Sequence, residues 1–126
     1  MADYPEDLKY HPEHDWARID GDSATLGITW FAQDSLGEIV FFDPPAVGTS
    51  ISKDTPYAEV ESVKAVSDVI APLSGEIVEV NLALGDSPDA INNDPYGEGW
   101  MVKVRLSDES EKDQLLDAAG YQSTLT

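Results

Sequence analysis

The 126-residue sequence has 25 acidic and 7 basic residues, a formal net charge of −18, and no cysteine. This charge opposes binding to nucleic acid and to anionic membranes, and the lack of cysteine excludes disulfides, thiolate metal sites and cysteine nucleophiles. The apolar content of 41%, with three Trp and five Tyr, suffices for one core. We expect a single domain over residues 1–126, with its core at about 9–106 and no membrane-spanning segment.

The N-terminal residues lack the features of a targeting signal. Residues 1–7 include Asp3, Glu6 and Asp7 before any base, and they contain no apolar run. A secretory signal has a basic start and an apolar centre, and a transit peptide is rich in Arg and poor in acids. We therefore expect a cytoplasmic protein, and we expect it to be a monomer.

The first predicted elements are a hairpin and a short helix. Residues 16–19 and 24–28 have the composition of strands and flank Asp20-Gly21-Asp22-Ser23, which is typical of a tight turn. Thr29 can cap a helix over residues 30–36, and Gly37 can end it.

One pattern occurs twice along the chain, which indicates two similar β units. Gly-Glu-Ile-Val stands at 37–40 and again at 75–78, and a turn containing Asp, Pro and Tyr follows each copy, at 54–57 and at 94–96. Each copy then ends in an alternating strand pattern. The continuous apolar run at 39–42, in the first copy, predicts a strand that is covered on both faces.

The last strand is predicted at residues 101–106, where apolar and basic residues alternate. The alternation places Val102, Val104 and Leu106 inward and leaves Lys103 and Arg105 in water. These short strands and turns predict a mainly β flattened barrel or sandwich with helical additions.

A helix is expected after this strand, over about residues 108–119. Asp108 would occupy the cap position of a variant capping box, with an acidic residue three positions later. This helix is expected to pack Leu115, Leu116 and Ala119 against the sheet before it ends at Gly120.

Lys64 lies between two strand-like segments, 57–61 and 66–70. These segments can pair antiparallel and hold the intervening turn above the body of the domain. Lys64 is the only base between Lys53 and Lys103, so its ammonium is a distinct feature on an acidic surface. The residues alone leave two interpretations, a site for a covalent group or partner and a solvated turn lysine that balances nearby acids.

Six ordered blocks carry a resemblance that covers nearly the whole chain. They are Lys9-Tyr10 with His14-Asp15-Trp16, 26–29 with Ala32-Gln33, 36–41, Val60-Glu61-Ser62-Val63-Lys64-Ala65-Val66-Ser67-Asp68, 74–76 with Glu79-Val80-Asn81, and 93–100. With these blocks the sequence resembles the H proteins of the glycine cleavage system, which are lipoyl carriers. The resemblance implies an all-β, flattened barrel-sandwich hybrid of the lipoyl/biotinyl type, with a quasi-two-fold repeat and a C-terminal helix.

The neighbours of Lys64 favour lipoate over biotin. Biotin carriers usually have Met on both sides of the modified lysine, whereas Val63 and Ala65 flank Lys64 here. Glu61, three residues before the lysine, resembles the lipoyl pattern. By this resemblance Lys64 is the covalent attachment site of lipoate.

The resemblance also implies a carrier that several enzymes share, and not an enzyme. In the family's cycle a pyridoxal-phosphate glycine decarboxylase loads an aminomethyl group onto the lipoyl arm. A tetrahydrofolate-dependent aminomethyltransferase removes the one-carbon unit, and dihydrolipoyl dehydrogenase, a flavin enzyme, reoxidises the arm. A lipoate-attaching enzyme is implied as a fourth partner.

The resemblance further implies that the loaded arm folds into a cleft with acidic groups. Asp68 matches the family pattern, whereas Asp15 stands where the family usually has Glu and is one methylene shorter. Glu61 is a third candidate. Asp68 and Asp15 are also explained as solvated surface acids, since the chain has 25 acids.

Other functions stay open at this point. An H-like protein can relay lipoate to other enzymes, and an unmodified acidic chain can act as an interaction module. His11, His14 and Asp15 superficially suggest a metal set, but no third firm ligand stands at a diagnostic spacing, so we expect no metal. The sequence shows no nucleophilic side chain paired with a general base, the pattern that would indicate an enzyme.

Overall fold

The structure, a computed structural model, describes residues 4–125. Its nine strands are β1 Lys9–His11, β2 Asp15–Asp20, β3 Ser23–Ile28, β4 Ile39–Asp43, β5 Ser50–Ile51, β6 Pro56–Ser62, β7 Val66–Ile70, β8 Gly75–Val80 and β9 Val102–Leu106. The α-helices within this range are α1 Trp30–Leu36, α2 Ala90–Asn93 and α3 Ala118–Ser123, and 3₁₀ helices span Leu82–Gly85 and Glu109–Gln114. None of these helices is long and apolar enough to cross a membrane.

The strands form two sheets that bury one core between them. One sheet has six strands in the order β1-β2-β3-β9-β8-β5, and the other has three in the order β4-β6-β7. Leu26, Ile77 and Val104 of the larger sheet belong to the same buried cluster as Phe42 and Val60 of the smaller one. The predicted all-β, flattened barrel or sandwich is therefore confirmed.

The patterns predicted for the hairpin β2–β3 and for β9, the last strand in the chain, are confirmed. β2 pairs with β3 around the turn at Gly21-Asp22. In β9, Val102, Val104 and Leu106 are buried. The two basic residues of β9 lie outside the core, and Arg105 pairs with Glu76 at 2.9 Å.

The short helix α1 begins and ends where its capping residues predict. The Thr29 hydroxyl accepts a hydrogen bond from the Ala32 amide at 3.3 Å. Gly37 ends the helix with a φ of 83°, a value that a residue with a Cβ rarely adopts. Helix α1 thus connects the hairpin β2–β3 to the strand β4.

The prediction that the run Ile39-Val40-Phe41-Phe42 is covered on both faces is wrong. Val40 is 46% exposed and Phe41 is 50% exposed. The register between β4 and β6 shifts between Ile39 and Phe41, so a bulge puts two successive side chains outward, while Ile39 and Phe42 enter the core. The smaller sheet has only one covered face here.

The prediction of one helix over 108–119 is also wrong. Asp108 does cap a helix, but it is the 3₁₀ helix Glu109–Gln114, and the separate helix α3 follows it. The chain is extended between them because Leu116 exchanges two backbone hydrogen bonds of 2.8 Å with Tyr10. Leu115 is buried as expected, whereas Ala119 is exposed and Gly120 lies inside α3.

A second, smaller core of aromatic residues forms where α3 packs on β1. The rings of Tyr10 and Tyr121 are stacked with centroids 5.0 Å apart and an interplanar angle of 11°. Trp16 is fully buried here, and its indole N–H donates to the Pro95 carbonyl at 3.0 Å. This aromatic core anchors the C-terminal segment to the larger sheet.

Candidate functional site

Lys64 lies at the exposed tip of the hairpin that β6 and β7 form. The strands stay paired up to Glu61 and Val66. The turn itself is closed by the Ser62 amide, which donates to the Ala65 carbonyl at 2.8 Å, and by the Ser62 hydroxyl, which accepts from the Ala65 amide at 3.1 Å. The predicted hairpin is therefore present, and its turn has a defined geometry.

The tip of the hairpin is tied to the end of α1. The Val63 amide donates to the Glu38 carbonyl at 3.0 Å. The Lys64 side chain lies over Gly37, because a Cβ placed on that glycine would be 3.4 Å from the Lys64 Cε. At that distance a Cβ would make an ordinary van der Waals contact with Lys64, so it is the φ of 83° that requires glycine at position 37.

A cavity of ≈ 170 Å³ lies between α1, β2 and β7, and we call it the α1 cavity. Its lining residues are Glu13, His14, Asp15, Ile28, Phe31, Ala32, Ser35, Leu36, Val60, Ser67, Asp68 and Val69. Half of these twelve residues are apolar, and three of the six polar ones are acids. Such a cavity favours a flexible apolar chain with a positively charged end.

Two of the three predicted acids lie in this cavity, in different environments. Asp68 is exposed, whereas Asp15 is 1% exposed and its Oδ2 has no hydrogen-bond partner within residues 4–125. Burial, with a further contribution from Glu13, raises the pKa of Asp15 well above its usual range. Glu61 is half-buried in β6, opposite Phe41 and Val66, and is not among the lining residues.

One part of the site was missed by sequence reasoning. The Tyr121 hydroxyl lies 2.8 Å from His14 Nδ1 and 2.8 Å from Thr29 Oγ1. The ring of His14 packs on Phe31 with centroids 4.6 Å apart, and both of these residues line the α1 cavity. No local pattern around Tyr121 indicates these contacts, since its partners are 92 and 107 residues away in the chain.

The two histidines serve structural contacts. His11 Nε2 lies 2.6 Å from Asp54 Oδ1, and His11 Nδ1 accepts from the Glu13 amide at 3.0 Å. Because Nδ1 accepts a hydrogen bond, Nε2 carries the proton and donates to Asp54. His14 Nδ1 is hydrogen-bonded to the Tyr121 hydroxyl. Across residues 4–125, no group of three or more His, Cys, Asp or Glu is arranged to hold a metal ion.

The fold and the site define a class of protein. A two-sheet domain presents one lysine at the tip of a hairpin, and the same hairpin contributes Ser67, Asp68 and Val69 to a cavity of mixed apolar and polar character. Such a lysine fits a prosthetic group joined through an amide bond, because its side chain is exposed and a flexible chain attached there can reach the cavity that its own hairpin lines. This is the arrangement of the lipoyl and biotinyl carrier domains.

Comparison with known proteins gives the family. The profile of the family described as "Glycine cleavage H-protein" matches residues 8–126. This chain belongs to the glycine cleavage H-protein family.

Its relatives are similar over nearly their whole length. The glycine cleavage system H protein of Symbiobacterium thermophilum is 53% identical over 98% of this chain and 96% of that protein. The one from Escherichia coli O7:K1 is 52% identical over 99% of this chain and 98% of that protein. The crystal structure of a glycine cleavage system H protein from Mycobacterium marinum has a TM-score of 0.87 and 42% identity, covering 96% of this chain and 98% of that one.

The family carries a lipoyl group covalently attached to a lysine. The resemblance in the six sequence blocks is confirmed, and so is lipoate as the cofactor. The chain is therefore a lipoyl carrier protein of glycine cleavage.

Proposed function

We propose that Lys64 is the residue that carries the lipoyl group. The observation that supports this most strongly is its exposed position at the tip of the β6–β7 hairpin, with its side chain over Gly37, while Ser67, Asp68 and Val69 of the same hairpin line the α1 cavity. An amide at Nζ removes the charge of the lysine and lengthens its side chain. Bound lipoate supplies a dithiolane that accepts the aminomethyl group and electrons, which the chain itself cannot do because it has no cysteine.

The residues of the α1 cavity have a role of their own in this proposal. A cationic group carried on the arm is stabilised by the Asp68 carboxylate and, at the buried side, by Asp15. Ile28, Leu36 and Val69 form apolar walls that exclude water. The cavity thereby protects a reactive arm between visits to its partners.

The partners of this chain follow from the same assignment. We infer that it receives the aminomethyl group at a pyridoxal-phosphate glycine decarboxylase and delivers it to a tetrahydrofolate-dependent aminomethyltransferase. Dihydrolipoyl dehydrogenase then takes the electrons, and a separate enzyme attaches lipoate. An arm tethered at Lys64 raises the local concentration of its reactive end at each enzyme, so weak docking is sufficient and release stays fast.

A reconstituted reaction tests the proposal. Lipoylated chain is combined with the three enzymes, glycine, tetrahydrofolate and an electron acceptor for the dehydrogenase, and the release of CO₂ and ammonia is measured. Lys64→Arg should abolish both, because a guanidinium is a poor acyl acceptor. Lys53→Arg is the control, since Lys53 is a half-buried lysine that pairs with Asp54 and does not line the α1 cavity, and it should be fully active. An active Lys64→Arg protein would refute the assignment.

A further inference from the structure

The α1 cavity has two walls that come from separate parts of the chain. One wall contains His14 and Asp15, at the start of β2. The other is helix α1, which Thr29 caps. The Thr29 amide donates to the His14 carbonyl at 3.0 Å and so joins the walls through the backbone.

The hydroxyl of Tyr121 joins the same two walls through side chains. It lies 2.8 Å from both His14 Nδ1 and Thr29 Oγ1. The single hydroxyl proton can be donated to only one of these atoms, so the three side chains form a directed chain of hydrogen bonds. Burial raises the pKa of Tyr121 to about 12, so the hydroxyl keeps its proton over the physiological range.

The position of Tyr121 does not depend on these two bonds. Its ring is fully buried and stacked on Tyr10. The backbone bonds between Tyr10 and Leu116 hold the start of the C-terminal segment against β1. The hydroxyl is therefore held in place by the aromatic core and acts on the cavity from a fixed point.

We propose that Tyr121 is a positioning residue of the α1 cavity, whose hydroxyl fixes the separation of the His14 wall and the Thr29 wall. Helix α3 thereby sets the width of the space that shelters the arm. The effect of Tyr121 on sheltering the arm rests on the function proposed above. Its effect on the separation of the walls depends only on the geometry of the unmodified chain.

Tyr121→Phe and Tyr10→Phe form a matched pair of variants. Tyr121→Phe removes the hydroxyl that joins the walls and keeps the stacked ring. Tyr10→Phe removes a hydroxyl from the same aromatic core, one that donates to the Pro5 carbonyl at 2.7 Å and does not reach the cavity. Each variant loses one buried hydroxyl, so a general loss of stability affects both.

The first measurement is amide hydrogen exchange on the unlipoylated chain. The Thr29 amide reports on the bond between the walls, and the Ala32 amide reports on the cap of α1. Both amides should exchange roughly tenfold faster in Tyr121→Phe than in Tyr10→Phe, which is the scale of one lost buried hydrogen bond. Equal exchange in the two variants would overturn the proposal.

The second measurement uses chains that are first shown by intact mass to carry one lipoyl group. After loading with the aminomethyl group, Tyr121→Phe should release ammonia several-fold faster than wild type without folate and transferase, and Tyr10→Phe should match wild type. Altered exchange with unchanged ammonia release would overturn the role in sheltering the arm. Absence of lipoate from the wild-type Lys64 would instead refute the proposed function and leave the exchange result unaffected.

Discussion

Asp68 and Asp15 line one cavity but have opposite access to water. Asp68 is exposed and pairs in register with Glu59 of β6, whereas Asp15 is fully buried. An exposed carboxylate can meet a cation at little desolvation cost. A buried carboxyl without a partner for one oxygen resists ionisation until a cation arrives.

The Asp68→Asn chain should accept lipoate and the aminomethyl group normally, but its loaded arm should leave the cavity more often. A charge-assisted hydrogen bond is worth about 1.5–3 kcal/mol, and the exposure of Asp68 places this contact at the low end, so we expect roughly tenfold faster ammonia release. The measurement is made without folate and transferase. Glu59→Gln is the control, because Glu59 is the neighbouring acid outside the cavity lining. Identical release from wild type and both variants would mean that Asp68 only solvates the surface.

Asp15→Asn should stabilise the unmodified chain at neutral pH. The pKa of Asp15 is raised in the folded state, so the unfolded chain loses its proton at a lower pH than the folded chain does. The free energy of unfolding of the wild type therefore falls as the pH rises from about 4 to the pKa of the folded state. The total decrease is about 1.4 kcal/mol for each pH unit by which the folded pKa exceeds the unfolded pKa. Urea unfolding of both proteins from pH 3 to pH 8 measures this, with pH values chosen to bracket the unfolded pKa of about 3.9. Parallel pH curves for wild type and Asp15→Asn would contradict the burial of an unpaired acid.

The elements that sequence patterns predicted correctly are those that neighbouring residues determine. The hairpin β2–β3, helix α1 with its cap at Thr29, and the alternating strand β9 each follow from turn chemistry, capping or periodicity within a few residues. The hairpin that presents Lys64 belongs to the same group.

The errors come from contacts between distant parts of the chain. The exposure of Val40 and Phe41 depends on a bulge against β6, which the apolar run does not encode. The split of the C-terminal helix depends on the bridge between Leu116 and Tyr10. Asp15 and Asp68, which line the α1 cavity, were predicted through the family resemblance, whereas Tyr121 joins residues that only the folded chain brings together.

The packing of Trp16 on Gly27 in the hairpin β2–β3 can be tested by its effect on stability. Gly27 lies opposite Trp16, and a Cβ on Gly27 would come within 2.7 Å of the indole ring. The ring is buried and held by Pro95, so Gly27→Ala should lower the free energy of unfolding by about 1–3 kcal/mol. Gly85→Ala is the control, since nothing lies within 4 Å of its Cβ position. Equal denaturation midpoints for the two variants would show that the ring moves freely.

The charge distribution leaves Lys64 exposed and without an ion pair. The net charge is −18, and Lys53, Lys103 and Arg105 each have a carboxylate partner, whereas Lys64, like Lys9 and Lys112, pairs with none in the part of the chain that the structure describes. Among residues 4–125, no carboxylate oxygen lies within 4.0 Å of the Lys64 ammonium. An attaching enzyme therefore meets an exposed lysine that has no ion pair to break.

Lys64→Arg should fold as the wild type does, because an exposed turn residue buries little area. Its midpoint of thermal unfolding should stay within a few degrees of the wild-type value, on the scale of a surface change of about 0.5 kcal/mol. A large decrease would contradict the exposed position of the hairpin tip. An unchanged midpoint shows that any loss of lipoylation in Lys64→Arg comes from the missing lysine and not from unfolding.

The mass of the chain purified from its native host, followed by peptide mapping, tests the central claim most directly. Wild type and Lys53→Arg should each carry one lipoyl group, located on the peptide that contains Lys64, and Lys64→Arg should carry none. A lipoyl group on another lysine, or a Lys64→Arg chain that is lipoylated as the wild type is, would contradict the assignment of Lys64.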